Sequence, residues 1–202
     1  MSTRKCVGIG TVALCGLALL WNGVADVGRA QDAGKLKPEP EPEAAKSAQE
    51  AAPLVLAKAK IDLGKALEIA QAKSPKARLI YCSTVADSGL LLFVAYLVAG
   101  EKVFEADVDA VSGSLLAFEE IAGDELEDLT SVKKALTASK LNLAQAIVSA
   151  RTKVKGGKPF EVGLALYQGK SIIEVALLTG KTVTSVEIDA VNGKVLEVAA
   201  VK

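Results

Sequence analysis

One octet occurs twice in this chain. Asp109-Ala110-Val111-Ser112-Gly113-Ser114-Leu115-Leu116 returns as Asp189-Ala190-Val191-Asn192-Gly193-Lys194-Val195-Leu196, an offset of 80 residues. Each copy reads as the end of a strand, a tight turn and the start of another strand. Aspartate before such a turn accepts hydrogen bonds from the turn's own amides. Glycine inside it supplies a positive φ. The offset extends in both directions: Leu63 matches Leu143, Ala66 matches Ala146, Gly89 matches Gly169 and Gly100 matches Gly180. The shared positions are caps, turn glycines and apolar core positions, which points to a shared fold more than to a shared site.

Each repeat opens with a helical signal. Apolar residues at 63, 66, 67 and 70 lie on one helix face, with Asp62 at the N-cap. Residues 143, 146, 147 and 150 do the same, with Asn142 as cap and Gln145 completing a capping box. Strands then follow in each copy. Ile80, Cys82 and Thr84 alternate, as do Phe160, Val162, Leu164 and Leu166. Leu90 to Val98 and Ile172 to Leu178 are almost wholly apolar, as central strands are. Phe104, Ala106 and Val108 alternate with charged residues on a half-buried strand, and Thr184, Val186 and Ile188 occupy the matching strand of the second copy. The expected fold class is therefore α+β: two repeats, each one helix followed by a three- or four-stranded antiparallel meander. The first repeat spans 54–121 and the second 141–202. A connector, 122–140, is acidic early and basic late, which suits a helix dipole. A unit of about 65 residues is small for an independent core, so the two repeats are expected to pack together.

What precedes the repeats reads as export and spacing. Arg4 and Lys5 introduce an uncharged apolar run from Cys6 to Trp21, and Gly28-Arg29-Ala30 offers a small-residue cleavage site. Residues 1–30 are thus expected to be a signal peptide, cleaved after Ala30. The run is about 16 residues, short of the ~20 that span a bilayer comfortably, so no integral membrane span is expected after cleavage. Residues 31–53 alternate proline with glutamate and then turn alanine-rich, the composition of a linker. The expected location is secreted or periplasmic. Cleavage leaves 21 basic and 23 acidic residues and Cys82 as the sole cysteine, so no intramolecular disulfide can form. Balanced charge gives no basic stripe for nucleic acid.

The motifs resemble the PepSY family. Ile61-Asp62-Leu63 with Ala66-Leu67, followed by Asp107-Val108-Asp109-Ala110 with Gly113, carries the likeness in the first copy. Leu141-Asn142-Leu143 with Ala146-Ile147, then Glu187-Ile188-Asp189-Ala190 with Gly193, carries it in the second. Family members usually place serine or threonine at the cap, where Asp62 and Asn142 stand here. The resemblance implies a domain found in propeptides of thermolysin-like peptidases and in exported bacterial proteins, with inhibition, chaperoning or regulation of a peptidase as its role.

The residues themselves offer no catalytic apparatus. The chain has no histidine, so neither a Ser–His–Asp nor a Cys–His arrangement can be assembled. Cys82 falls on the expected inward face and reads as a buried structural thiol. Asp109 and Asp189, even with neighbours Asp107 and Glu187, offer too few oxygens in one loop for calcium. Glu119-Glu120 and Glu125, Glu127 and Asp128 read as solvated or helix-start charge. No catalytic, cofactor-binding or metal-ligating residue is assigned, no cofactor is expected, and the binding residues are unknown. The expected function is a non-catalytic, exported module that binds a protein partner, of which an exported peptidase is the class the resemblance implies. Strand addition or docking on a sheet face is the expected mode. The alternative is a tethered structural module of the envelope that self-associates through the strands at Leu90 and Ile172. An enzyme of unknown type is the remaining reading.

Overall fold

A computed structural model describes residues 47–122 and 129–201. The expected signal peptide, most of the expected linker, and Glu125, Glu127 and Asp128 lie outside these residues. The described chain runs α1 (Ala48–Lys58), α2 (Leu63–Lys73), β1 (Arg78–Asp87), β2 (Leu90–Ala99), β3 (Lys102–Asp109), β4 (Leu115–Ile121), α3 (Leu129–Ala138), α4 (Leu143–Lys153), β5 (Lys158–Tyr167), β6 (Lys170–Thr179), β7 (Thr182–Asp189) and β8 (Val195–Val201).

The expectation of two repeats, each one helix and a three- or four-stranded meander, is overturned. The eight strands form one antiparallel sheet in the order β4-β3-β2-β1-β5-β6-β7-β8, and four helices alternate with the strands along the chain. Two things escape a periodicity argument. One is the helix α1, which begins inside the stretch read as linker. Its first turn is fixed by a capping box, in which Ser47 Oγ accepts from Glu50 N at 3.3 Å and Glu50 Oε2 accepts from Ser47 N at 3.1 Å. Ala51, Ala52 and Val55 of this helix are buried, and Pro53 sits within it. The other is the pairing of β1 with β5. Tyr81, Cys82 and Ser83 lie opposite Gly163, Val162 and Glu161, and this short register joins two four-stranded halves edge to edge.

The helix caps and turns form as their residues dictate. Asp62 Oδ1 accepts from Lys65 N at 2.9 Å, and Asn142 exchanges bonds with Gln145 at 2.8 and 3.0 Å. Gly113 and Gly193 take φ of +75° and +76°. One face of the sheet is covered by α2 and α4, whose Leu63, Ala66, Leu67, Leu143, Ala146 and Ile147 meet Cys82, Phe93, Val162 and Ile173 in the main core. Alternation fails at one point in each half. Ile80 and Phe160 are extra residues, since the register slips between Leu79 and Tyr81 and between Pro159 and Glu161. A bulge reverses the phase of a strand. Ile80 therefore packs with Tyr96, Val98 and Val132 of α3, and Phe160 with Ala52 of α1, rather than sharing the face of Cys82 or Val162.

Several ties hold the halves together, the Lys133 Nζ–Glu101 Oε2 ion pair at 2.6 Å among them. Beyond the strand pairing, Arg151 Nη2 donates to Asp62 Oδ2 at 2.9 Å, linking α4 to the cap of α2. Arg78 donates to the carbonyls of Leu136 and Ser139, linking β1 to the end of α3. At the strand seam Tyr81 lies over Gly163: a Cβ on that glycine would stand 3.0 Å from Tyr81 Cδ2. Substitution Gly163→Val should therefore push the ring off the seam and destabilise the fold by about 1–3 kcal/mol, the usual cost of overpacking. Urea unfolding checks this, and an unchanged midpoint would show that the seam has room the geometry denies it.

Candidate functional site

The residues singled out by motif are structural. Cys82 is fully buried in the main core, and burial, with the Glu161 charge adding to it, pushes its thiol pKa far up, so it is not a thiolate nucleophile. Asp109 Oδ1 accepts from Ser112 N at 2.7 Å and Val111 N at 2.8 Å. Asp189 Oδ1 accepts from Val191 N at 2.8 Å and Asn192 N at 3.2 Å. These amides hold both carboxyls below their ordinary range, so each aspartate is spent on its own turn. Among the described residues no three histidine, cysteine or carboxylate side chains are grouped as a metal ion would need. No helix among them is long and apolar enough to cross a membrane.

What the motifs did not reveal is a row of side chains that crosses the whole sheet. In strand order it reads Glu119, Glu105, Tyr96, Tyr81, Gly163, Glu174, Glu187, Glu197, each residue directly opposite the next. A second row two residues along each strand reads Ala117, Asp107, Val94, Ser83, Glu161, Ala176, Ser185, Ala199. Residues two apart on a strand share a face. Both rows therefore lie on the face opposite the α2 and α4 core. Together they carry seven carboxylates and no lysine or arginine.

Like charges directly opposite one another across strands destabilise a sheet, and here they recur on both halves. Some are eased from within. Tyr81 donates to Glu161 Oε1 and Ser185 Oγ to Glu174 Oε1, each at 2.6 Å. Three show the strain in their titration. Burial raises the Glu187 carboxyl pKa, and the flanking Glu174 and Glu197 charges raise it further. Burial and Glu119 do the same to Asp107, whose Oδ1 is buried with no hydrogen-bond partner. Glu161 is raised chiefly by burial, with Tyr81 opposing and Glu174 adding. The two tyrosines stand at the centre of the acidic row, their ring centroids 6.0 Å apart.

The outer strands are less suited to recruit a partner. β4 and β8 each carry an extra residue, Leu116 and Leu196, where the register with the neighbouring strand slips. Bulges of this kind turn an edge away from regular pairing. Of the two expected docking modes, the sheet face has the more distinctive chemistry.

No family model matches the chain, and no curated protein matches it. Among solved structures, the chain is similar to a protein of Clostridium difficile 630 described as a "putative lipoprotein". That likeness has 19% identity and a TM-score of 0.42, covering 73% of this chain and 98% of the other. At that score it carries neither fold nor function to this protein.

The carboxylate row makes a prediction about stability. A carboxyl whose pKa is raised by folding stabilises the native state fully below its ordinary value, and that contribution is lost as pH rises through the folded value. Glu187→Gln should remove this loss and raise stability near neutral pH by about 0.5 kcal/mol, the scale of a cross-strand charge pair. Denaturant unfolding at acid and neutral pH measures both. A variant no more stable than the parent at neutral pH would contradict it.

Proposed function

We propose that this protein is a non-catalytic, exported module that binds a protein partner on the carboxylate face of its sheet. Regulation of a peptidase is the role that the PepSY resemblance supplies. The observation that carries the reading is the stack Glu174–Glu187–Glu197 on adjacent strands, with Asp107 and Glu119 in the other half. A fold gains nothing from such a stack. A cationic surface laid across it would relieve the repulsion, and complementary charge favours association rate and selectivity. The central pair Tyr81 and Tyr96 would sit beneath the middle of that contact. A tethered module that self-associates through the strands at Leu90 and Ile172 is less favoured, because β2 and β6 have both edges paired within the sheet.

The test has two arms. Titration into exported metallo- and serine peptidases, following reporter cleavage and survival of the added protein, should give saturable inhibition with the protein intact. Capture from envelope extract should enrich a partner, and the Glu174→Gln, Glu187→Gln, Glu197→Gln triple variant should weaken its binding by about tenfold or more, in the range reported for interface charges. Raised salt should weaken the parent's binding as well. A partner held equally by the triple variant at all salt concentrations would overturn the acidic-face reading.

A further inference from the structure

The internal repeat allows each feature to be compared with its own twin 80 residues away, and at one place the twins differ. A cleft of about 200 Å³ opens between α2, the end of α3 and the start of α4. Leu164 and Ile173 of the sheet line it, together with Leu67 from α2 and Leu143 from α4. Glu68, Gln71, Arg78, Ser139 and Asn142 also line it. At the twin position, Arg151 stands for Gln71 and Asp62 for Asn142, and their ion pair at 2.9 Å spans the two helices. Phe93 stands for Ile173, and both are fully buried. Thr84 stands for Leu164 and is tied by its hydroxyl to the Ala48 carbonyl at 3.0 Å. The fold thus has a way to bridge this junction, and one copy does so.

The polar groups of the cleft are oriented by bonds already made. Gln71 Nε2 donates to the carbonyls of Ser74 and Ala77, at 2.9 and 2.8 Å, which leaves its Oε1 as an acceptor. Asn142 Oδ1 accepts from Gln145 N, which leaves its Nδ2 as a donor. An acceptor and a donor of amide type are the complement of a peptide group. The volume is below the range of drug-sized sites and suits a single apolar side chain. We propose that this cleft seats one apolar residue of an extended polypeptide, the side chain resting on the half-buried Leu79, Leu136 and Leu141 and the backbone read by Gln71 and Asn142. The source of that residue rests on the protein-partner reading above. The cleft lies on the α2 and α4 side of the sheet, so it would be a second contact of the partner, separate from the acidic face.

The probe is N-acetyl-leucine N-methylamide, titrated into the full chain and followed by amide and methyl NMR. Saturable shifts at Leu79, Leu136 and Leu141 are expected. N-acetylglycine N-methylamide, which has the peptide groups and no side chain, should not produce them. The paired substitution Gln71→Arg with Asn142→Asp installs the twin's ion pair and should abolish the shifts. Ala144→Leu, at an exposed position lining the cleft, should abolish them independently should the double variant fold poorly. No saturable shifts, equal shifts from the glycine compound, or shifts that survive in a folded closed variant would overturn the proposal. This titration needs no natural partner, so its failure is distinct from failure of the binding function. Conversely, a captured partner that the closed variant holds as tightly as the parent would remove the cleft from the interface and leave the acidic face standing.

Discussion

Everything in this molecule depends on three residue pairs between β1 and β5. Without the seam β1 and β5 would be open edges. Pairing them turns two edges into the centre of an eight-stranded sheet. The seam is short because a bulge lies beside it in each strand, at Ile80 and at Phe160, and regular pairing is confined to the stretch beyond. Glycine at 163 lets the Tyr81 ring lie across the partner strand, and the Tyr81 hydroxyl reaches Glu161 there at 2.6 Å. Burial pushes the Tyr81 phenol up, with Glu161 adding to the shift, so it remains a donor through the physiological range.

The same seam sets the chemistry of the sheet's two faces. Because β1 and β5 pair in register, the alternation of one half continues into the other, and the main core of both halves, with Cys82, Phe93, Val162 and Ile173, falls on the side of α2 and α4. The carboxylates of the two rows fall on the opposite side, those of β3 and β4 separated from those of β6, β7 and β8 by the buried apolar cluster around Tyr81, Val94 and Tyr96. A slip of one residue at the seam would set acids of one half against the core of the other. Architecture and candidate surface are therefore two consequences of one register.

Much of this was legible from the chain. The repeat located α2 and α4, their caps at Asp62 and Asn142, and the glycine turns at 113 and 193, because short-range hydrogen bonds and backbone sterics decide those features. The alternation of Phe104, Ala106 and Val108 with charged neighbours was visible too, but alternation alone says only that the acids face away from the core. Seeing that Glu174, Glu187 and Glu197 stand opposite one another requires the cross-strand register, which is a long-range property. The bulges at Ile80 and Phe160 escaped for a related reason: an apolar residue added to an apolar strand leaves no mark in composition. The helix α1 was hidden by Pro53 and by the alanine-rich sequence around it, whose burial comes from contact with the sheet rather than from any strong periodicity of its own.

The measurement that tests this account most directly is native-state hydrogen exchange on the full chain. If the seam makes one sheet of the two repeats, the amides of Cys82 and Val162 exchange only through global unfolding, and the core amides of both halves share that same opening free energy. Seam amides that exchange through a low-energy opening while β2 and β6 stay protected would show two independently stable units in loose contact, and would contradict the single sheet on which the acidic face depends.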